Sequence, residues 1–157
     1  MAFLISPSEK FYVHAISVYD LLDLLPLVTA YRVFYEQLPN EERERDFITQ
    51  NMSQKRSTIF IARNAGGDAV GFVQLFQTFS TVHLGPQFIL EDLFVVPRAR
   101  GSGVASKLLE RAIQYAKETG VTGMFLETAM DNEAAQAVYE RNGWTREGRF
   151  YKYNAPL

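Results

Sequence analysis

A chain of 157 residues, 47% apolar and 13% aromatic, is the size of one compact domain, residues 1–157, and can build its own core. Its 18 acidic against 16 basic side chains give a net charge of -2 with neither half basic, which argues against nucleic acid as a partner. Cysteine is absent, which excludes disulfides, thiolate metal sites and a cysteine nucleophile. Residues 1–7 lack the basic stretch and cleavage pattern of a signal peptide. The longest apolar-rich run, residues 18–34, carries Asp20, Asp23 and Arg32 and is interrupted by Pro26, unlike a membrane span of about 20 residues. The expectation is a soluble cytoplasmic protein with no membrane partner.

Residues 11–16 alternate loosely and read as a strand. Residues 19–36 place Leu21, Leu24, Leu25, Val28 and Tyr31 at helical spacing, and Pro26 is expected to kink or split that helix. The charged run 41–46 is the solvated start of a second helix ending near residue 54, and residues 57–62 are strand-like. NAGGD at 64–68 has the composition of a hairpin turn leading into a long strand, 70–79. A Gly85, Pro86 break precedes an aliphatic and aromatic segment, 88–96, read as a central strand stopped by Pro97.

The next helix carries Val104, Leu108, Ala112 and Ala116 every fourth residue, flanked by Leu109 and Ile113. Lys107, Glu110, Arg111, Gln114 and Lys117 take its wet side, and Gly120 suits its C-cap. Residues 123–128 read as a strand, 132–142 as a short helix ended by Gly143, and 144–153 as a closing strand. This order makes an α/β or α+β sheet with helices on its faces.

The most informative stretch lies between the strand ending at Val96 and the helix starting near Val104: Arg98, Ala99, Arg100, Gly101, Ser102, Gly103. A helix start presents unpaired N–H groups and a positive dipole end, and the two glycines let backbone approach an anion, so a phosphate or pyrophosphate fits there. The same glycines also suit a plain tight turn. A dinucleotide-binding fingerprint would need Gly or Ala where Ser106 stands, and a Walker loop would need a Gly, Lys, Ser/Thr triplet. Further on, Asn132 suits an N-cap. Tyr139, seven residues later, shares its helix face, and taken alone it is also compatible with a core position.

Together these segments resemble the GNAT superfamily of acetyl-CoA-dependent N-acetyltransferases. The signature Gln or Arg, two residues, Gly, one residue, Gly or Ala is met by Arg100, Gly103 and Ala105, followed by Leu108 and Leu109. The later pattern of Asn, Tyr and a Gly-aromatic pair is met by Asn132, Tyr139, Gly143 and Trp144. LEDLFVVP at 90–97 extends the likeness, which from about residue 72 is greatest to the diamine/polyamine and histone/polyamine acetyltransferase branch.

The resemblance implies a single mixed, mostly antiparallel sheet with helices on both faces, whose two parallel strands splay apart to admit acetyl-CoA. It implies backbone pairing of Leu93, Phe94 and Val95 with the pantetheine arm, the Val95 N–H serving as oxyanion donor. Arg100, Gly101, Ser102, Gly103, Val104, Ala105 and Ser106 would hold the pyrophosphate, with Asn132 among the cosubstrate-binding residues. Tyr139 becomes the candidate general acid for the departing thiolate.

Glu91 and Asp92 lie inside an apolar strand, where ionised carboxylates are costly unless paired or wet. Neighbouring strand residues point to opposite faces, so without a bulge only one faces the acceptor. Glu91 is read as that residue and as the base, Asp92 as a tie for local backbone, and both count with Tyr31 and Glu36 as acceptor-site residues. Tyr35 is also in play, while Tyr31, Phe34 and Tyr35 are equally compatible with core-facing positions. Arg32 stands where the diamine branch has an acidic residue, which argues against a polycation in the same pose.

His14 and His83 lack ligand-spaced partners, so no metal site is expected. Phe150, Tyr151 and Tyr153 could line a pocket, pack in the core or meet a second copy. The implied activity is direct transfer of acetyl from acetyl-CoA to a primary amine of a small molecule, with diamines and polyamines among the candidate acceptors, by a homodimeric enzyme without metal. The alternatives are protein or histone lysine acetylation and a non-catalytic acyl-CoA-binding module.

Overall fold

Five strands pair into one sheet in the order β1-β2-β3-β4-β5, in a computed structural model that describes residues 10–157. The expectation for residues 1–7 lies outside the described residues. The strands are β1 (Phe11–Ala15), β2 (Ser57–Asn64), β3 (Ala69–Ser80), β4 (Gly85–Val95) and β5 (Gly123–Phe125). Neighbours from β1 to β4 are antiparallel, and β5 runs parallel to β4. The sheet is therefore mixed and mostly antiparallel. Four α-helices accompany it: α1 (Leu21–Phe34), α2 (Glu41–Ser53), α3 (Val104–Thr119) and α4 (Glu133–Arg141). The chain divides into two compact units, one reaching to Glu127 and a second, Thr128–Leu157.

In the first unit the β2–β3 turn closes as its composition demands. The Asn64 N–H donates to the Asp68 carbonyl at 2.9 Å, and the Asn64 Oδ1 accepts the Asp68 N–H at 2.9 Å. Opposite residues on paired strands share a face, so Ile59 and Ile61 lie with Gln74 and Phe72, and Phe60 with Val73. Tyr31 of α1 meets Phe72 and Phe94 edge-on at 5.9 and 6.1 Å, which places α1 on the first of these faces. Tyr115 of α3 packs against Phe60 at 5.5 Å and Phe88 at 5.4 Å, which places α3 on the other. Leu24, Val28 and Ile48 fill the core on one side of the sheet, and Leu108, Leu109 and Ala112 on the other. The four-residue spacing read in the sequence is what α3 buries.

Several boundaries differ from expectation. Pro26 does not split α1; it is the sixth residue of a continuous helix, so it forfeits one backbone bond near an end that already leaves its first four N–H groups without helical partners. A 3-10 turn, Val18–Asp20, precedes the helix. Gly85 and Pro86 do not break the sheet but pair with Ser80 and Phe79 at the start of β4. The strand expected at 123–128 ends at Phe125. Residues 144–153 form no strand: Phe150, Tyr151 and Tyr153 are exposed, and Arg146 and Arg149 bond locally to Glu140 and Glu147. Among the described residues no helix is long and apolar enough to cross a membrane.

The α1–α2 pair is clamped by Glu44, which is 4% exposed. Its carboxylate accepts from Thr29 Oγ1 at 2.5 Å, Arg32 at 2.6 Å and the Asn40 N–H at 3.1 Å. Burial pushes the Glu44 carboxyl up, but the bonds from Thr29, Arg32 and Asn40 outweigh it and hold the group below its ordinary value of 4.5. A depressed native value means the stabilisation is present above the unfolded value and fades as pH falls through the native one. Arg32→Ala should lower the unfolding free energy at pH 7 by about 2 kcal/mol, between the costs for exposed and fully buried pairs. Urea titrations across pH check this: the deficit should narrow in acid, once Glu44 is protonated in wild type and variant alike.

Candidate active site

The opposing strands count differently in the middle of β4. Leu90 pairs with Leu75 and Asp92 with Gln74, so Glu91 has no partner on β3. An extra residue of this kind is a β-bulge, which shifts every later side chain to the opposite face. In an unbroken strand Glu91 would stand opposite Gln74, on the α1 face. The bulge gives that place to Asp92 and leaves Glu91 exposed. The expected facing of the two carboxylates is thus reversed: Asp92 faces inward, while Glu91 contributes its backbone carbonyl, 3.3 Å from the Tyr31 hydroxyl.

Asp92 lines a cavity of about 800 Å³ with Phe72 and Gln74 of β3, Tyr31 of α1, Glu36 after it, and Arg43 and Phe47 of α2. This volume lies within the range of small-molecule sites. Glu91 is not among its lining residues. Burial pushes the Asp92 carboxyl above its ordinary value, against hydrogen bonds from Gln74 and Tyr31 that draw it down, and the neighbouring Glu91 charge adds to the rise. A carboxylate so placed is a candidate proton acceptor. Arg32 reaches the cavity wall too, but its guanidinium is held by Glu44 and the Leu38 carbonyl, 2.9 Å away. The charge read as opposing a polycation is spent within the fold.

On its other edge β4 pairs with β5 only from Gln87 to Ile89. Beyond Ile89 that edge has no strand partner among the described residues. The Val96 N–H donates to Val70 O at 2.9 Å, and antiparallel strands alternate their bonding direction. Leu93 and Val95 therefore turn their N–H groups to the unpaired edge, where an extended ligand can bond as an added strand. Gly71, opposite Val95, lets β3 approach closely here: a Cβ on it would stand 2.7 Å from the Phe94 carbonyl oxygen.

A short 3-10 turn, Pro97–Ala99, links β4 to the loop before α3. Gly101 and Gly103 hold φ of 75° and 94°, a left-handed conformation that favours glycine. Gly103 is the N-cap and supplies no side-chain cap, so the first-turn N–H groups of α3 are presented as an anion site. Arg100 folds back, its Nε donating to Val95 O at 3.0 Å and its guanidinium lying 5.8 Å from the Phe94 ring centre. Ser102 donates to the Ala99 carbonyl. The residues from Leu93 to Ser106 thus form one continuous run of strand edge, turn and helix start.

In the second unit Asn132 caps α4, its Oδ1 accepting the Ala135 N–H at 3.1 Å. Tyr139 lies on the same helix, its ring 6.2 Å from that of Trp144, and its carbonyl accepts the Trp144 N–H at 3.1 Å. His14 sits beside Arg63 and Asp20 at 3.4 and 3.7 Å, and His83 is exposed. The described residues contain no group of three or more His, Cys, Asp or Glu arranged to hold a metal ion.

Sequence reasoning missed Gln74, Asn51 and Ser57. Gln74 Nε2 donates to Asp92 Oδ2 at 2.5 Å, while its Oε1 accepts from Asn51 Nδ2 at 3.1 Å and from Ser57 Oγ at 2.7 Å. Two signals were available: a lone amide in the apolar run Val70, Gly71, Phe72, Val73, Gln74, Leu75, and Asn51 one turn past Ile48 on the buried face of α2.

Comparison with known proteins agrees with this geometry. Residues 24–144 match the Acetyltransferase (GNAT) family. The chain is 37% identical over 134 residues to the uncharacterized N-acetyltransferase YhfO of Bacillus subtilis (strain 168), covering 85% of this chain and 89% of that protein. The crystal structure of a probable acetyltransferase superposes with a TM-score of 0.87 at 35% identity, covering 93% of this chain and 97% of that one. A more distant structure, AAC(6')-Iy in complex with the bisubstrate analog CoA-S-monomethyl-acetylneamine, shares the fold with a TM-score of 0.79 at 20% identity, covering 95% and 100%. The strand edge, the glycine loop and the family match converge, and the chain belongs to the acetyltransferase (GNAT) family and is an acetyltransferase.

Proposed function

We propose that the protein transfers the acetyl group of acetyl-CoA directly to the primary amine of a small molecule, and that the two units act as one domain. The observation that carries this reading is the cavity of about 800 Å³ with Asp92 in its wall, on the strand whose other edge is unpaired. The family match, residues 24–144, begins in the first unit and reaches into the second, which supports a single functional domain. The distant fold relative was crystallised in complex with a bisubstrate analog, which supports a reaction in a ternary complex.

Bound acetyl-CoA supplies an activated acyl group. The Leu93 N–H holds its pantetheine arm along the β4 edge, and the α3 N-terminus with Gly101 and Gly103 takes the pyrophosphate. Asp92 accepts the proton of the substrate ammonium, directly or through water, leaving a nitrogen lone pair to attack the thioester carbon. The Val95 N–H meets the charge growing on the carbonyl oxygen. As the C–S bond breaks, Tyr139 is the proton donor to the departing sulfur, and the proton shed by the newly acylated nitrogen restores the phenol, directly or through water. Asp92 takes the role that strand parity assigns to Glu91, because the bulge exchanges their faces.

The cavity has Tyr31, Phe47 and Phe72 for an apolar body, and Glu36 and Arg43 among its charged groups. This mixture supports small amines of modest charge and does not single out a polyamine.

Acetyl-CoA at about 100 times its dissociation constant should raise the melting midpoint by about 5 to 11 °C, with NAD and ATP giving no shift. No shift with acetyl-CoA would contradict the cosubstrate reading. Small primary amines should be turned over and lysine peptides not; the reverse preference would assign the cavity to a peptide side chain.

Asp92→Asn should lower kcat/KM by about 10² to 10⁴ and abolish the acid limb of its pH profile. A carboxyl raised in the native state destabilises the fold once pH exceeds its unfolded value, so this variant should melt no lower than wild type at pH 7. Tyr139→Phe should lose turnover while still binding acetyl-CoA; full turnover would remove its role.

A further inference from the structure

A core strand facing two helices is normally apolar, yet β3 places Gln74 there, 2% exposed, within a chain of polar groups running from α2 to the cavity. The directions of its bonds follow from the donors available. Ser57 Oγ and Asn51 Nδ2 both reach Gln74 Oε1, at 2.7 and 3.1 Å, which occupies the oxygen's two lone pairs. The Gln74 amide is thereby turned so that Nε2 faces Asp92 Oδ2 at 2.5 Å. Asn51 is 1% exposed and leaves its own Oδ1 without a partner. Burying such an oxygen is unfavourable, and an apolar core would avoid it. The arrangement contributes direction rather than stability.

We propose that Gln74, oriented by Asn51 and Ser57, is a positioning residue that aims the Asp92 carboxylate into the cavity as the acceptor of the substrate's proton. The inference rests on the reading of Asp92 as the base. A donor on Oδ2 fixes one end of the carboxylate, beside the bond from Tyr31, and favours the charged carboxylate over the neutral acid. The titratable and charged groups around Asp92 are Tyr31 and Arg32 of α1, Glu36 after it, Arg43 and Glu44 of α2, and Glu91 beside it on β4. Arg32 and Glu44 are paired with each other, and Gln74 is the neighbour on β3 that bonds the carboxylate directly.

The test is the pH dependence of kcat/KM for wild type, Gln74→Met and Asp92→Asn, with the acetyl-CoA KM measured in parallel. Gln74→Met removes the donor at similar volume. A hydrogen bond to a charged group corresponds to about one to two pH units, so the acid limb should move up by that amount. Activity should return toward the wild-type plateau at high pH, with the acetyl-CoA KM unchanged. An unmoved limb, or a loss equal at every pH, would overturn the proposal.

If Asp92→Asn kept the wild-type profile, the base assignment itself would fall. If it lost the limb while Gln74→Met kept it, only the positioning role would fall. Should Gln74→Met not fold, Ser57→Ala is measured in the same way, because it removes one of the two donors that orient the amide. A smaller upward shift supports the role, and none overturns it.

Discussion

The bulge at Glu91 determines what the rest of the site can do. Side chains on a strand alternate strictly, so one additional residue inverts the facing of everything beyond it. Before the bulge Leu90 faces α3, and after it Asp92 and Phe94 face α1. Without it the buried wall would receive Glu91, and Asp92 would be driven into the apolar layer beneath α3. A bulge also increases local twist and ends regular pairing. It lies just past the last β4–β5 pair, Ile89 with Phe125, where the strands cease to run together. One irregularity therefore coincides with both the inward carboxylate and the open strand edge.

The energetics near this point differ from those of the core around it. Behind α3 the packing is apolar and dense, with Leu108, Leu109 and Ala112 fully buried. On the side of α1 and α2 the sheet buries Gln74 and half-buries Asp92, and α2 buries Glu44 and Asn51. Buried polar groups contribute little net stability even when satisfied, and they are costly when one partner is missing. Glu44 is fully partnered and serves structure by joining α1 to α2. Asn51 is not fully partnered, and the chain it heads ends at Asp92. The first cluster has a structural explanation, whereas the second is most simply explained by what it does for the carboxylate.

Much of this was legible in the amino-acid sequence, for definite reasons. The Arg100 to Gly103 loop announced itself because glycine at left-handed φ and a helix start are local properties. The spacing from Val104 to Ala116 gave α3 its buried face, and the hairpin at Asn64 to Asp68 follows from residues that cap their own turn. The exchange of Glu91 for Asp92 was not legible, because a bulge depends on how two strands are registered and no residue in LEDLF marks it. The short β5 and the missing strand after Trp144 have the same origin: strand existence depends on a partner, which alternation cannot supply. Pro26 leaves α1 unsplit because the cost of a proline depends on its position within the helix. Gln74 was visible as a lone amide in an apolar run, but its partners come from segments 23 and 17 residues away.

The proposed cosubstrate site rests on the β4 edge beyond Ile89 and on the helix start that follows it. Amide hydrogen exchange of the protein with and without saturating acetyl-CoA tests this directly, since N–H groups that face an unpaired edge exchange readily until a ligand bonds to them. The expected result is slowed exchange at Leu93, Val95 and residues 101–106 on addition of acetyl-CoA, with β1 and β2 unchanged. Protection elsewhere with none along this run, despite demonstrated binding, would show that the cosubstrate does not use the strand edge and would contradict the site as described.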